Sequence, residues 1–368
     1  MTQQVWEVVR TATDVTAQIQ SMRYSTGRRT QFDSWSPGGL VLTIKNDNGQ
    51  ADNYELNEKI ILTAVGTQFY QWLYVQEVLY NDLGGDGKGS TATIICADLL
   101  GRSGRLQVFE NAIPTEKTIK QLADAFNSLF PAGTGFTYIG GGDSTAADDA
   151  SYSGTVLNRI NLNMLTEQGW LGCTDERIYL YGRSEVSAFV SGIIFARTAS
   201  GSFQMGYADI NRIALGPNYL NDCTVTPPVA AAQNQTNATG VAAYGTYGAE
   251  FATVDNSAAQ AKSFAQWQVQ SRSDPEQLSF QISVSDTANN LGELFDAIYG
   301  NESVVTVSYK NPGDATTYTS SQIMQGWSMS ITPSRTDMEI FTSPLTYINY
   351  FTLNSNTFGV LDTSRLGW

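Results

Sequence analysis

A chain of 368 residues with 42% hydrophobic and 11% aromatic residues can bury two cores, which excludes a disordered acidic tail. The formal net charge of -14, from 35 acidic and 21 basic residues, argues against nucleic-acid and anionic-membrane partners, which require clustered Lys and Arg. Histidine is absent, and with it Ser-His-Asp and Cys-His nucleophiles, histidine general bases and nearly all zinc sites.

Charged residues make up only 15%, so the polar surface falls to Ser, Thr, Asn and Gln. That balance suits a chain that buries surface against neighbours or works outside cells. Cys96, Cys173 and Cys223 form no CxxC pair, and an odd count at wide spacing predicts buried, reduced thiols. No early segment joins a basic start to an apolar run, so no leader is expected, and no window reaches the ~18 apolar residues of a spanning helix.

Period-two alternation dominates the first ~100 residues. Val5 to Val9 opens a strand; Leu40, Leu42 and Ile44 share a face of the next; Lys59 to Val65 repeats the pattern. The run Gln68 to Tyr80 places Tyr70, Trp72, Tyr74 and Val78 on one side and Leu73, Val75 and Leu79 on the other. Apolar residues on both faces predict a strand covered twice, once by a core and once by a partner. Ala92 to Ala97 closes the series. Turns fall at Ser36 to Gly39, Asn46 to Gly49 and Gly84 to Gly89, as expected of a small barrel or sandwich.

The period then lengthens. Thr115 reads as an N-cap, with Ile119, Leu122, Ala123, Phe126, Leu129 and Phe130 at helical spacing before Pro131. Ala132 to Gly154 reads as a flexible loop, Leu157 to Gln168 as a helix, and Arg177 to Tyr181 as a short strand. From Gly201 strands resume: Cys223 to Thr226, a low-complexity loop Pro227 to Thr239, a helix Ser257 to Ser271, a helical turn or two within Asn289 to Gly300, and strands at 277–285, 303–310, 320–332 and 337–343. The expected division is a first β domain at 1–112, a helix-containing mixed insert at 113–200, and a second β domain at 201–368. The fold class is mainly β (α+β).

Catalytic templates fail in turn. The nearest approach to a phosphate loop, Gly84 to Ser90, has Gly89 where a magnesium-binding Ser or Thr is needed and no helix after it. Asn46-Asp47-Asn48-Gly49 lacks the spaced carboxylates of an EF-hand. Asp143, Asp148, Asp149, Asp175 and Glu176 are carboxylates in or near loops, but nothing in the sequence pairs two across a cleft as a glycosidase requires. No enzyme, cofactor or metal is expected.

Two stretches resemble the hub-like minor tail proteins of long-tailed bacteriophages. Tyr24-Ser25-Thr26-Gly27-Arg28-Arg29, then Trp35-Ser36-Pro37-Gly38 and a strand ending in Asn46-Asp47-Asn48-Gly49, looks like their opening, and Cys96-Ala97-Asp98-Leu99-Leu100 resembles their strand-to-helix junction. Tyr207 to Ile210, Tyr219 to Thr226, Ala243-Tyr244-Gly245, Asp274-Pro275-Glu276, Met324 to Pro333 and Phe358 to Trp368 resemble the later part in order and spacing. Pro131 to Ala199 matches less well. The resemblance implies a tail-tip or baseplate hub, assembled in the host bacterial cytoplasm. Each chain would carry two β-barrels, and three copies would form a ring around the genome-ejection channel, fitting a sixfold tube to a threefold tip. Distal tail or tube ring, tip spike or fibre, and tape measure are the implied partners. A heterologous closing interface belongs where a strand is apolar on both faces, with Tyr70, Trp72, Tyr74, Val78, Leu73 and Val75 as candidates. The acidic net charge then predicts a lumen that repels phosphate. The alternatives are a sixfold distal tail ring protein and a carbohydrate-binding module for the host surface.

Overall fold

The computed structural model describes residues 3–82, 89–111, 119–139, 152–174, 176–186, 192–197, 204–214, 218–228, 230–255, 257–274, 277–287, 289–299, 304–345, 350–351 and 365–366. Alternation builds the first sheet. Its strands are β1 (Trp6–Arg10), β2 (Thr13–Asp14), β3 (Ile19–Gly27), β4 (Ser36–Lys45), β5 (Lys59–Ala64), β6 (Tyr70–Asn81) and β7 (Thr91–Ala97). They pair antiparallel in the order β2-β1-β5-β6-β7-β4-β3. Leu40, Leu42, Ile44, Ile60, Leu62 and Ile94 all fall on the inward face and are fully buried, as a two-residue repeat requires.

A mixed insert follows: α1 (Leu99–Ser103), β8 (Gln107–Asn111), α2 (Ile119–Phe126), β9 (Gly135–Ile139), β10 (Tyr152–Thr155), α3 (Val156–Glu167), β11 (Trp170–Thr174), β12 (Arg177–Tyr181) and α4 (Arg183–Val186). Thr155 caps α3 by accepting from the Asn158 amide at 3.1 Å, and Val156, Ile160 and Met164 repeat at four-residue spacing into a second core. That core also takes in Tyr74, Leu99 and Leu100, so it grows directly on the outer side of the first sheet. The expected loop 132–154 contains β9 and most of β10; residues 140–151 and the expected helix start at Thr115 lie outside the described residues.

The chain returns through β13 (Ile193–Ala196), β14 (Gln204–Gly206) and β15 (Asp209–Ala214). It then forms a separate layer: β16 (Asp222–Thr226), β17 (Gln233–Thr236), α5 (Ala238–Tyr244), β18 (Gly248–Ala252) and α6 (Ala258–Arg272). Cys223 and Val225 of β16 pack on Ala261, Phe264, Ala265 and Val269 of α6. The expectation of a loop through 227–239 is corrected here, because β17 and the start of α5 occupy its second half. None of the β17 side chains is buried; the strand is held by its backbone ladder to β16, which needs no apolar alternation.

The last elements are β19 (Leu278–Ser285), α7 (Leu291–Tyr299), β20 (Val304–Tyr309), β21 (Tyr318–Thr332) and β22 (Arg335–Pro344). β21 joins the two β regions. One edge pairs with β20 over Tyr318–Ile323 and then with β3 over Gly326–Ile331, while the other edge pairs with β22. Among the described residues this produces one 14-stranded network and one shared core. At its centre Trp6, Tyr24 and Phe69 of the first region meet Phe295 and Trp327 of the last, with ring centroids 4.9–6.5 Å apart. The Trp6 indole N–H donates to Thr336 Oγ1 at 2.9 Å, satisfying the buried polar atom at the cluster's rim.

The seam between β3 and β21 is held by two glycines. Gly27 has φ +85°, and a Cβ there would lie 2.4 Å from the Gln325 carbonyl oxygen; one on Gly326 would lie 2.6 Å from the Thr26 oxygen and 2.7 Å from the Arg28 nitrogen. These are backbone atoms locked in a ladder. Gly326→Ala is therefore expected to cost roughly 2–3 kcal/mol of stability, seen as a lower urea midpoint at unchanged slope.

Asp98 ties the first sheet to the insert. Its carboxylate accepts from the Gly101 amide (2.9 Å), capping α1, and from the Gly38 amide of β4 (2.8 Å), while the Cys173 thiol of β11 also donates to it. Full burial raises it from 3.8 to about 6, against the opposing pull of those donors. A carboxyl raised on folding binds more protons in the native state, so its contribution is fully present below about pH 4 and lost as pH rises through 6. Asp98 alone then removes at most about 3 kcal/mol between pH 4 and pH 7. Asp98→Asn is expected to flatten that part of the stability profile in urea titrations at pH 4, 5, 6 and 7.

Candidate functional site

The outer face of the first sheet follows from register. Val9, Ile61 and Trp72 are cross-strand neighbours in one row, Thr63 and Tyr70 in the next, and Arg23, Val41, Ile95 and Glu77 in a third. Charges thus bracket an apolar centre. Val41 is 37% exposed, Tyr70 38% and Leu79 47%. The Lys59 ammonium lies 3.5 Å from the centre of the Trp72 ring, so the cation itself sits over the indole.

The structure separates the six candidate interface residues. Leu73 and Val75 are sealed in the chain's own core. Tyr74 is buried under the insert, in the second core, with the Arg102 guanidinium 5.7 Å from its ring centre; burial pushes its phenol above the ordinary value. Tyr70 and Trp72 remain on the open face, with their rings 6.2 Å apart.

Val78 is a correction. It packs on the shared core with Leu73 and Val75, and Leu79 is the residue that faces outward with Tyr70 and Trp72. The register of β6 against β7 shifts between Val75 and Glu77, so a bulge at Gln76 exchanges the two faces. Strict alternation has no access to that extra residue. Val9, Val41, Ile61 and Ile95 were missed as surface residues for a different reason. Each adjoins a fully buried core residue, and only the apolar runs Val8-Val9, Leu40-Val41-Leu42, Ile60-Ile61-Leu62 and Ile94-Ile95 betray a second face.

Gly89 donates its amide to Asp47 Oδ1 at 2.6 Å, and the glycine run joins two antiparallel strands; residues 83–88 lie outside the described residues. The Asn46 carboxamide accepts from the Ala51 amide, and Gly49 is left-handed at φ +70°, which makes that motif a turn. Of the loop carboxylates, Asp143, Asp148, Asp149 and Asp175 lie outside the described residues, and Glu176 alone of the five is described. No group of three or more metal-ligating side chains occurs among the described residues, and the three cysteines are buried and unbridged.

No protein-family description and no curated protein matches the sequence. Solved structures do match. The tail protein from Neisseria meningitidis MC58 superposes with a TM-score of 0.64 at 11% identity, over 94% of this chain and 97% of that one. The 43 kDa tail protein of prophage MuSo2 from Shewanella oneidensis gives 0.59 at 11% identity, covering 94% and 100%. Prophage tail protein gp18 from Listeria monocytogenes EGD-e gives 0.55 at 9%, covering 93% and 95%. Likeness over nearly the full length of all three identifies the chain's fold as that of the phage tail proteins.

Proposed function

We propose that this chain is a structural virion protein, the hub at the tip of a long phage tail, working as a homotrimeric ring around the genome-ejection channel. The observation that carries the reading is the end-to-end match to two tail proteins, 97% and 100% of whose lengths are covered. Two barrels per chain would present six quasi-equivalent units to a sixfold tube and threefold symmetry to a tip spike or fibre. Strand connectivity supports the second barrel. The segment from Gln204 to Ala214 pairs with β13 at one end and β19 at the other, through Tyr207 N to Ala196 O (3.1 Å) and Ala208 N to Ser283 O (2.8 Å), and β13 returns to β20 and β21. The first barrel would use β1 to β7 with β21. The proposed divisions remain a first β domain at 1–112, an insert at 113–200 and a second β domain at 201–368, although β13, within the insert's bounds, pairs with β20 of the last.

The closing interface belongs on the open outer face, at Tyr70, Trp72, Val41 and Leu79, with a second copy of the chain as its occupant. Other tail components cover the ring's two ends, and the excess of carboxylates lines its lumen. Two measurements test the reading together. Native mass of the purified chain should give three times 40.0 kDa, with an open ring in negative stain. The paired change Tyr70→Asp and Leu79→Asp, at residues that hold no core, should yield folded monomer. A hexamer, or a trimer indifferent to both changes, overturns the assignment.

A further inference from the structure

We propose a second recognition site, for a neutral saccharide, on the layer formed by β16, β17, β18 and α6. It does not depend on the ring reading. Three tyrosines gather at one end of this layer: Tyr219 packs edge-on against Tyr244 and Tyr247, with centroids 5.7 and 5.3 Å apart. Tyr244 is 56% exposed and Tyr247 51%, which is high for rings of that size. Their exposure is held in place. The fully buried Asn221 carboxamide donates to the Gly245 carbonyl at 2.7 Å and accepts from the Tyr247 amide at 2.7 Å, clamping the loop between the two exposed rings. Gly240 sits close under the Tyr219 hydroxyl, where a Cβ would come within 2.8 Å. Rigid, presented tyrosines bind at low entropic cost.

Beside them lies a polar sheet face. Cys223 and Val225 point into the core under α6, so alternation turns Asp222 and Thr224 the other way, alongside Asn234, Thr236 and Glu250 of the neighbouring strands. Asn234 donates to Asp222 Oδ1 (3.2 Å) and to Thr224 Oγ1 (3.0 Å), and the Thr236 hydroxyl donates to the same carboxylate. Asp222 adjoins the tyrosines, since its amide donates to the Tyr247 carbonyl at 3.2 Å.

The chemistry selects the occupant. No Lys or Arg occurs from Ile213 to Ala261, so an anionic polymer meets repulsion from Asp222 and Glu250 on this face. A protein partner needs an apolar interface centre, and this face offers short hydroxyl, amide and carboxylate groups with Ala252 as its one aliphatic side chain. Dense small hydrogen-bonding groups next to exposed aromatic rings match a polyhydroxylated ring with one apolar face.

The test is retention of the full-length chain on an array of neutral and acidic oligosaccharides, run with Tyr244→Ala/Tyr247→Ala and with Leu56→Ala, a change at an exposed apolar residue outside both proposed surfaces. All three proteins are first checked for matching urea midpoints. Wild type and Leu56→Ala should bind one or more neutral glycans and no acidic one, and the double variant should lose about tenfold or more. No neutral glycan held by folded wild type, binding unmoved by the double variant, or capture of acidic glycans alone each overturns the proposal. A wild-type chain that instead retains a protein segment through these tyrosines also overturns it.

Discussion

The structure depends on one strand having two neighbours along a single edge. β21 gives its first residues to β20 and its later ones to β3, and the crossing is possible only because Gly27 and Gly326 let two backbones approach closer than any side chain permits. The register shift between Met324 and Gly326 falls at the same point. Around it, the buried side of the seam is filled by five aromatic rings drawn from both ends of the sequence. Backbone constraint and aromatic packing therefore reinforce each other: the glycines set the spacing, and Trp327 and Phe69 fill what that spacing leaves.

Outward from this seam the chain changes its means of cohesion. The shared core is aliphatic and aromatic. The insert is attached through a buried carboxylate, Asp98, which accepts from donors on three separate elements. The layer of β16 to α6 has a small core of its own, in which alanines let α6 lie close to β16. With few charges on the chain, ion pairs contribute little. The Arg10–Glu58 pair at 2.7 Å, with Arg10 also 4.7 Å from the Tyr54 ring centre, is a local clamp on the first sheet.

Much of this was legible in the sequence, where the physics is local. Alternation located β4, β5, β7 and β19 to β22 to within a few residues, and helical spacing found α3 and α6. The Asp98 junction was read from the resemblance of Cys96 to Leu100 to a tail-hub strand-to-helix junction, and its physical basis is that Asp98 caps α1. What escaped was non-local or silent. The bulge at Gln76 adds a residue without changing composition. β17 is held by main-chain bonds and leaves no apolar trace. The pairing of β3 with β21 joins segments whose side chains say nothing of each other. The outer face of the first sheet was half visible: Tyr70 and Trp72 stood out as aromatics, whereas Val41 and Ile95 were hidden beside stronger core neighbours.

The span of that last pairing has a consequence for biogenesis. Arg28 and Gln325, which hydrogen-bond beside the seam, stand 297 positions apart. At ribosomal rates of about 5–20 residues per second, β3 emerges some 15–60 seconds before the strand that completes it. Throughout that interval the nascent chain presents an unsatisfied strand edge flanked by Tyr24 and Met22, a template for pairing with other copies on the same polysome. The fold thus places its greatest exposure to misassembly during synthesis, and native pairing along β3 must wait until β21 has left the ribosome.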